Sequence, residues 1–358
     1  MKRIFFILAA ACVALCSCNK QGPSADIAPL DNNGQQELSL MAFNGIGLTK
    51  GYVEAELFAD TPYNKLHKPN YNPTESEDAR EMLISSYLTP QSGFPGTYFK
   101  GNTYKYYDED NLWHNFNGDE LSPIYWPLGG TLDFLAISVT EDIPEGDLVW
   151  NEENVAQSLT LKAGDNFKQD DILFASVCGR KIGTDPKVQM KFNHAQAWIQ
   201  FQLNAGNPTS GEEGTVTVKK VELIDIYSKG NVSIYNNLGK AFAKWDFREE
   251  TRKDVAMDDT YGVTAAPLVP KEGVEGGDDD TIGYMDMLIP EQQKTAFRIT
   301  YVLKGQTNEL TYYYELEHEN WLMGHKYIYK IDFGTNEITV EPSVVTFAGE
   351  TDYEYPEN

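Results

Sequence analysis

The feature that most constrains this chain is a two-residue alternation of apolar and polar side chains, repeated along nearly its whole length. Leu310, Tyr312, Tyr314 and Leu316 alternate with Thr311, Tyr313, Glu315 and Glu317. Phe297, Ile299, Tyr301 and Leu303 alternate with Arg298, Thr300 and Lys304; Tyr327, Tyr329, Ile331 and Phe333 with Lys326, Lys330 and Asp332; Val53, Ala55 and Leu57 with Glu54 and Glu56. Successive side chains of a strand point to opposite faces, so this period predicts strands with one buried and one wetter face, as in an antiparallel sandwich. Leu132–Val139 and Ile172–Val177 are apolar on both faces and read as central strands. Helical signal is thin: Glu75–Leu88 is the best candidate, and within it Met82–Leu88 also reads as a strand. Loops rich in Pro and Gly are expected at Thr61–Thr74, Pro90–Gly101, Asn204–Gly214 and Pro270–Gly283. Roughly fifteen short strands exceed one ordinary sheet. The expectation is therefore an all-β chain with two β-sandwich domains in series, broken between Cys178 and Gly214 and placed near Pro186. The domains are then 37–186 and 187–347, followed by an acidic tail, 348–358.

Val188–Leu203 carries a shift of phase. Val188, Met190 and Phe192 hold one parity, and Ala195, Ala197, Ile199, Phe201 and Leu203 the other. An extra residue near Asn193-His194 restores a single core face, as a β-bulge does. A strand that changes sheet or domain there gives the same pattern.

The N-terminus places Lys2 and Arg3 ahead of an apolar stretch from Ile4 to Leu15. That stretch is too short to span a bilayer and has the form of a secretory signal peptide, residues 1–17. Leu15-Cys16-Ser17-Cys18 resembles a bacterial lipobox, with Leu at −3, small Ser at −1 and Cys at +1. The resemblance implies cleavage before Cys18 and lipidation of that residue, the palmitate-type anchoring of a lipoprotein. A polar stretch rich in Gly, Pro, Asn and Gln follows to residue 36 and reads as a flexible tether. The mature chain keeps one further cysteine, Cys178, at the end of an apolar run, so no internal disulfide forms and a buried, inert thiol is expected.

Charge narrows the function classes. The chain has 29 Lys+Arg against 54 Asp+Glu, a formal charge of −25. Phosphate binding needs clustered Lys and Arg, so nucleic acid is an unsuitable partner. No GxSxG, HExxH, CxxC, Walker A or GxGxxG occurs, and the five His are never spaced i,i+2 or i,i+4. Asp108-Glu109-Asp110-Asn111 and Asp278-Asp279-Asp280 lack the spacing of a calcium loop and read as solvated turns. No catalytic residue, cofactor or metal ligand is assigned, and His194 reads as a structural residue at the phase shift. The 21 Tyr include Tyr104, Tyr106, Tyr107, Tyr312–Tyr314, Tyr327 and Tyr329; tyrosine stacks on sugars, but alternation within strands accounts for most of these.

Glu37–Phe43, Tyr104–Tyr107, Tyr125-Trp126-Pro127, Asp170–Ala175, Phe192–Ile199, Leu288–Gln292 and Trp321–Tyr329, taken in order, resemble the segments of the fimbrillin-like lipoproteins of Bacteroides-type bacteria. The strand Glu37–Phe43 is followed by Leu48-Thr49-Lys50-Gly51. Tyr104-Lys105-Tyr106-Tyr107, Trp113, Pro123-Ile124-Tyr125-Trp126-Pro127 and Leu132–Ala136 follow the family's tryptophan, Tyr-Trp-Pro and aromatic-strand order. Asp170–Ala175 is similar to its Asp-aliphatic-Leu-aromatic-Ala strand. Phe192, His194, Ala195, Ala197 and Ile199 match Phe-x-His-Ala-x-Ala-x-Ile. Leu288-Ile289-Pro290-Glu291-Gln292 and Trp321–Tyr329, with Gly324, Tyr327 and Tyr329 in step, complete the set.

The resemblance implies two tandem transthyretin-like β-sandwich domains and a fimbrial subunit at the cell surface and outer membrane: an anchor, a tip or an accessory adhesin. It implies other fimbrial subunits as partners, the outer membrane through the lipid, and a host or bacterial surface glycan or protein. It also implies assembly by strand donation after a trypsin-like cut, here after Lys50, with Ile338–Phe347 as donor. Asp280-Thr281-Ile282 resembles the O-glycan acceptor of these bacteria, at Thr281. The alternative is a glycan-binding lipoprotein of a polysaccharide-uptake system, and an enzyme is not expected.

Overall fold

A computed structural model describes residues 36–44, 81–107, 112–139, 143–163, 172–181, 187–204, 216–257, 266–268, 283–317, 319–333 and 338–346. In chain order the strands of the first part are β1 (Ser39–Asn44), β2 (Met82–Thr89), β3 (Gly96–Tyr107), β4 (Leu112–Asn117), β5 (Glu120–Leu121), β6 (Thr131–Ser138), β7 (Leu148–Trp150), β8 (Ser158–Ala163), β9 (Leu173–Arg180) and β10 (Lys187–His194). There follow β11 (Gln196–Asn204), β12 (Val216–Tyr227), β13 (Gly230–Asn237), β14 (Lys240–Phe247), β15 (Arg252–Met257), β16 (Ala266–Leu268) and β17 (Gly283–Pro290). The last are β18 (Gln292–Gln293), β19 (Ala296–Leu303), β20 (Leu310–Glu315), β21 (Asn320–Trp321), β22 (His325–Phe333) and β23 (Ile338–Thr346). Apart from one 3-10 turn, Glu249–Thr251, regular structure among the described residues is all strand. Of the helical candidate Glu75–Leu88, Met82–Leu88 lies in strand β2, and residues 75–80 lie outside the described residues.

The first large sheet runs β1-β10-β9-β6-β2-β3-β4-β5, and β1 also pairs with β4. The sheet therefore curls and closes through β1. Its interior is filled by Leu40, Met82, Ile84, Tyr104, Trp113, Leu132, Phe134, Val188, Met190 and Phe192. Its outer face carries Leu135, Ile137, Ile172 and Phe174, and these pack under a smaller sheet, β14-β13-β8-β7, through Leu159, Leu161, Val232, Ile234 and Trp245. That second layer explains why β6 and the start of β9 are apolar on both faces: each is covered on both sides.

Two further sheets, β17-β11-β22-β23 and β15-β12-β19-β20 with β16 on β12, face each other across a core built on Phe201, Phe297, Tyr329 and Ile331, and β18 and β21 form a short pair of their own. Phe201 meets Phe297 edge-on with ring centroids 5.0 Å apart and stacks on Tyr329 at 5.3 Å. The alternation in β19, β20 and β22 belongs to this sandwich.

The phase shift near His194 is a change of sheet. β10 ends at His194 in the first sheet, β11 begins at Gln196 in another, and one residue, Ala195, lies between them. Ala195 is held on both sides: its N–H donates to the Ile172 carbonyl at 2.8 Å, and its carbonyl accepts from Trp245 Nε1 at 2.6 Å. Strand pairing crosses the division between 186 and 187 read from the sequence at two places, β10 in the first sheet and β8 against β13. The loop expected over Pro90–Gly101 ends earlier, because β3 starts at Gly96. Gly101, read as a loop residue, sits at a register shift against β2 with φ 62°, a bulge position that favours glycine.

Candidate functional site

The N-terminal strand occupies a slot in the first sheet. β1 runs parallel to β10, from Ser39 opposite Lys187 to Asn44 opposite Phe192, and meets β4 on its other side where Leu40 faces Trp113. The residues just before it are tied to Ile124–Trp126. Leu38 N–H donates to the Ile124 carbonyl at 2.7 Å, Trp126 N–H donates to the Gln36 carbonyl at 2.9 Å, and Glu37 bridges Tyr125. Pro123 and Pro127 flank that segment and lack an N–H to donate, which keeps the pairing to one short bridge.

Side-chain burial is deep at Gln36, Leu38, Ser39 and Leu40 and partial at Glu37 and Met41. Leu38 and Leu40 have no exposed surface, and Ser39 between them is 1% exposed. Burying two leucines contributes about 1.5–3 kcal/mol each. One hydrogen bond to a carboxylate adds to the hold: His114 Nδ1, on β4, lies 2.8 Å from Glu37 Oε1, with both side chains largely shielded. No local pattern marks this pair, because its partners are 77 positions apart and neither residue type is unusual in a strand.

The slot is incompletely satisfied in its polar groups. Ser39 Oγ, Tyr104 OH and Trp126 Nε1 are buried without a hydrogen-bond partner. Burial and the nearby Glu37 carboxylate push the Tyr104 hydroxyl far above its ordinary range, so it stays protonated. An unmade buried hydrogen bond costs about 1–3 kcal/mol.

At the other end of the chain, β23 lies on the edge of its sheet, antiparallel to β22 over nine pairs from Phe333–Ile338 to His325–Thr346. Ile338 and Val340 rest against the core, while Glu341, Pro342, Ser343 and Val344 are exposed. The segment before β22 is built by the Trp321–Tyr329 spacing. Trp321 Nε1 donates to Tyr329 OH at 2.9 Å, Leu322 N–H donates to Tyr327 OH at 2.8 Å, and Gly324 turns the chain with φ 69°. Burial raises the hydroxyls of Tyr327 and Tyr329, so both act as neutral hydrogen-bonding groups.

Cys18, Lys50 and Thr281 lie outside the described residues, as do Asp108–Asn111 and Asp278–Asp280. Cys178 is a half-buried free thiol beside the Asn236 amide at 3.1 Å, and burial pushes its pKa up, which leaves little thiolate. His194 is 1% exposed at the end of β10. Tyr104, Tyr106, Tyr327 and Tyr329 are all core residues. Among the described residues no group of three or more His, Cys, Asp or Glu is arranged to hold a metal ion, and no helix is long and apolar enough to cross a membrane.

Known proteins place this architecture. The family model described as fimbrillin-like matches residues 74–346. A fimbrial protein of Bacteroides vulgatus has a similar structure, with a TM-score of 0.54 at 14% identity over 87% of this chain and 100% of that one. A protein of Bacteroides uniformis described as a candidate cell adhesion protein gives 0.50 at 16% identity, over 87% of this chain and 99% of that one. A Bacteroides ovatus protein with the same description gives 0.50 at 14% identity, over 88% and 99%. No curated protein matches the chain.

Proposed function

The chain belongs to the fimbrillin-like family, and from that premise we propose that it is an outer-membrane lipoprotein at the end of a fimbrium, anchored through Cys18 and retaining its first strand. Family membership supports a fimbrial subunit at the cell surface in contact with other subunits. The observation that carries the finer reading is the slot: β1 precedes in sequence every strand it pairs with and, with Leu40 and the preceding Leu38 buried, fills a gap between two strands that otherwise do not meet. A subunit whose slot is filled by its own strand has no place for a partner's. It can still donate. Ile338–Phe347 is the donor segment, because β23 has one neighbour and an exposed face. A chain that donates and does not accept stands at an end of a filament, as an anchor, tip or accessory adhesin.

Intact mass of the protein taken from the bacterial surface tests this reading. A mature start at Cys18 with acyl chains is expected; a start at Gly51, after cleavage at Lys50, would mean the slot has been emptied and the lipid lost. Removing residues 338–358 should abolish co-purification with a fimbrial partner while the lipidated body persists. Thr281 is the proposed O-glycan acceptor, and an unmodified mass for the peptide 272–294 would remove it.

A further inference from the structure

Three large apolar side chains project almost fully into solvent: Phe94 at 98% exposure, Leu128 at 88% and Leu238 at 93%. They lie far apart in sequence and share one end of the first sheet. The Phe94 and Leu128 loops press together, since a Cβ on Gly130 would stand 2.4 Å from the Thr89 carbonyl oxygen and 2.7 Å from Pro90 Cα. β9 ends at the same place, with Arg180 opposite Leu132 and Gly179 N–H donating to Asp133 Oδ1 at 2.7 Å. The β13–β14 hairpin reaches that end of β9: a Cβ on Gly239 would stand 3.4 Å from Cys178 N. Leu238 is the first central residue of this two-residue turn and has φ 52°, where asparagine or glycine is the ordinary choice. It combines backbone strain with full exposure, and the fold gains no packing from it.

The chain enters the body at this same end. Gln36 is bonded to Trp126, two residues before Leu128, and β1 starts at Ser39 beside Lys187, the end of β10 nearest Arg180. Cys18 stands 18 positions before Gln36, so the lipid lies within about 65 Å of this end even with the chain fully drawn out. We propose that this pole faces the membrane and seats Phe94, Leu128 and Leu238 in the interfacial zone of the bilayer that holds the lipid. The proposal rests on the reading that Cys18 is acylated and retained. A bilayer interface accepts separate apolar projections without matching pockets, which suits tips on different loops better than a folded partner does. The pole carries exposed charges of both signs, Lys181 and Lys240 against Glu152 and Glu153, so the contact is apolar rather than electrostatic.

The test uses the full-length lipidated chain in phosphatidylcholine vesicles, with and without bromine on the upper acyl chain. All six native tryptophans are buried and provide a steady background. Phe94→Trp and Leu128→Trp each add a probe at a solvent-exposed site that folding does not depend on. Tyr313→Trp, at a site 57% exposed on β20, is the control. Brominated lipid should remove the emission added at 94 and 128 and leave that at 313. Equal quenching at all three sites, or none at 94 and 128, overturns the orientation. An N-terminal mass without acyl groups overturns the anchor reading and the orientation together, whereas an acylated chain with unquenched probes overturns the orientation alone. Dimers in detergent that Phe94→Ser/Leu128→Ser dissolves would assign the tips to a second copy of this chain and also overturn it.

Discussion

The first and last strands of this chain are held in opposite ways. β23 has nine paired positions on one neighbour and few buried side chains; β1 has six on β10, a second neighbour in β4, and, in Leu40 and the Leu38 just before it, leucines with no exposed surface. Backbone pairing alone fixes register, because each ladder bond replaces one made to water and gains little net. Side-chain burial decides what it costs to leave. β1 is therefore a structural member of the sandwich that happens to come first, and β23 is an addition whose departure leaves a core largely intact.

Deletion separates the two most strongly. A chain lacking residues 36–44 should lose the fixed near-UV signal of the first sandwich, since it gives up two leucines that cost about 2–5 kcal/mol each to truncate even singly. A chain lacking 338–358 should unfold cooperatively at a modestly lower temperature. Equal losses in thermal unfolding would break the comparison. Single substitutions sharpen it. Leu40→Ala should lower unfolding free energy by about 2–5 kcal/mol, and Val344→Ala, at a site 50% exposed, by less than about 0.5 kcal/mol, both read from urea midpoints at constant m.

The His114–Glu37 contact that ties down the start of β1 should rank next. Glu37→Gln keeps an acceptor for His114 and removes the charge, and a hydrogen bond to a charged group contributes about 1.5–3 kcal/mol. The loss should appear first as faster amide exchange at Leu38 and Leu40, ahead of any change in β22 or β23. Uniform exchange at β1, β22 and β23 would show that β1 is not an independently opening unit.

Much of this architecture was legible in the residues. β6 could be read as a central strand because both its faces are covered, and the alternation of β19, β20 and β22 because one face of each is. The turn at Gly324 and the ring cluster behind it follow from the Trp321–Tyr329 spacing. The change of phase at His194 was visible, but a bulge and a change of sheet flip parity alike, and only the pairing of β11 with β17 and β22 separates them. The strand at Glu37–Phe43 could be read too, but not its slot. Parallel pairing with β10, some 148 positions away, leaves no local mark on either segment. The joint sheet of β7, β8, β13 and β14 was hidden for the same reason. Gly96 and Gly101 drew a strand into an expected loop because a bulge glycine and a loop glycine look the same without a partner strand.

The smallest expected effect on folding carries the sharpest functional contrast. Val344→Lys places a charge on the exposed side of an edge strand, where such residues discourage unwanted pairing. The fold should tolerate it within about 0.5 kcal/mol. A donated strand must bury alternate side chains in its partner's slot, as Leu38 and Leu40 are buried here, and a lysine ammonium there would lose its hydration without a carboxylate to meet it. Unchanged thermal unfolding together with loss of partner capture is therefore the expected result. Capture that survives Val344→Lys would mean that the last strand stays on its own sheet and that some other surface makes the contact.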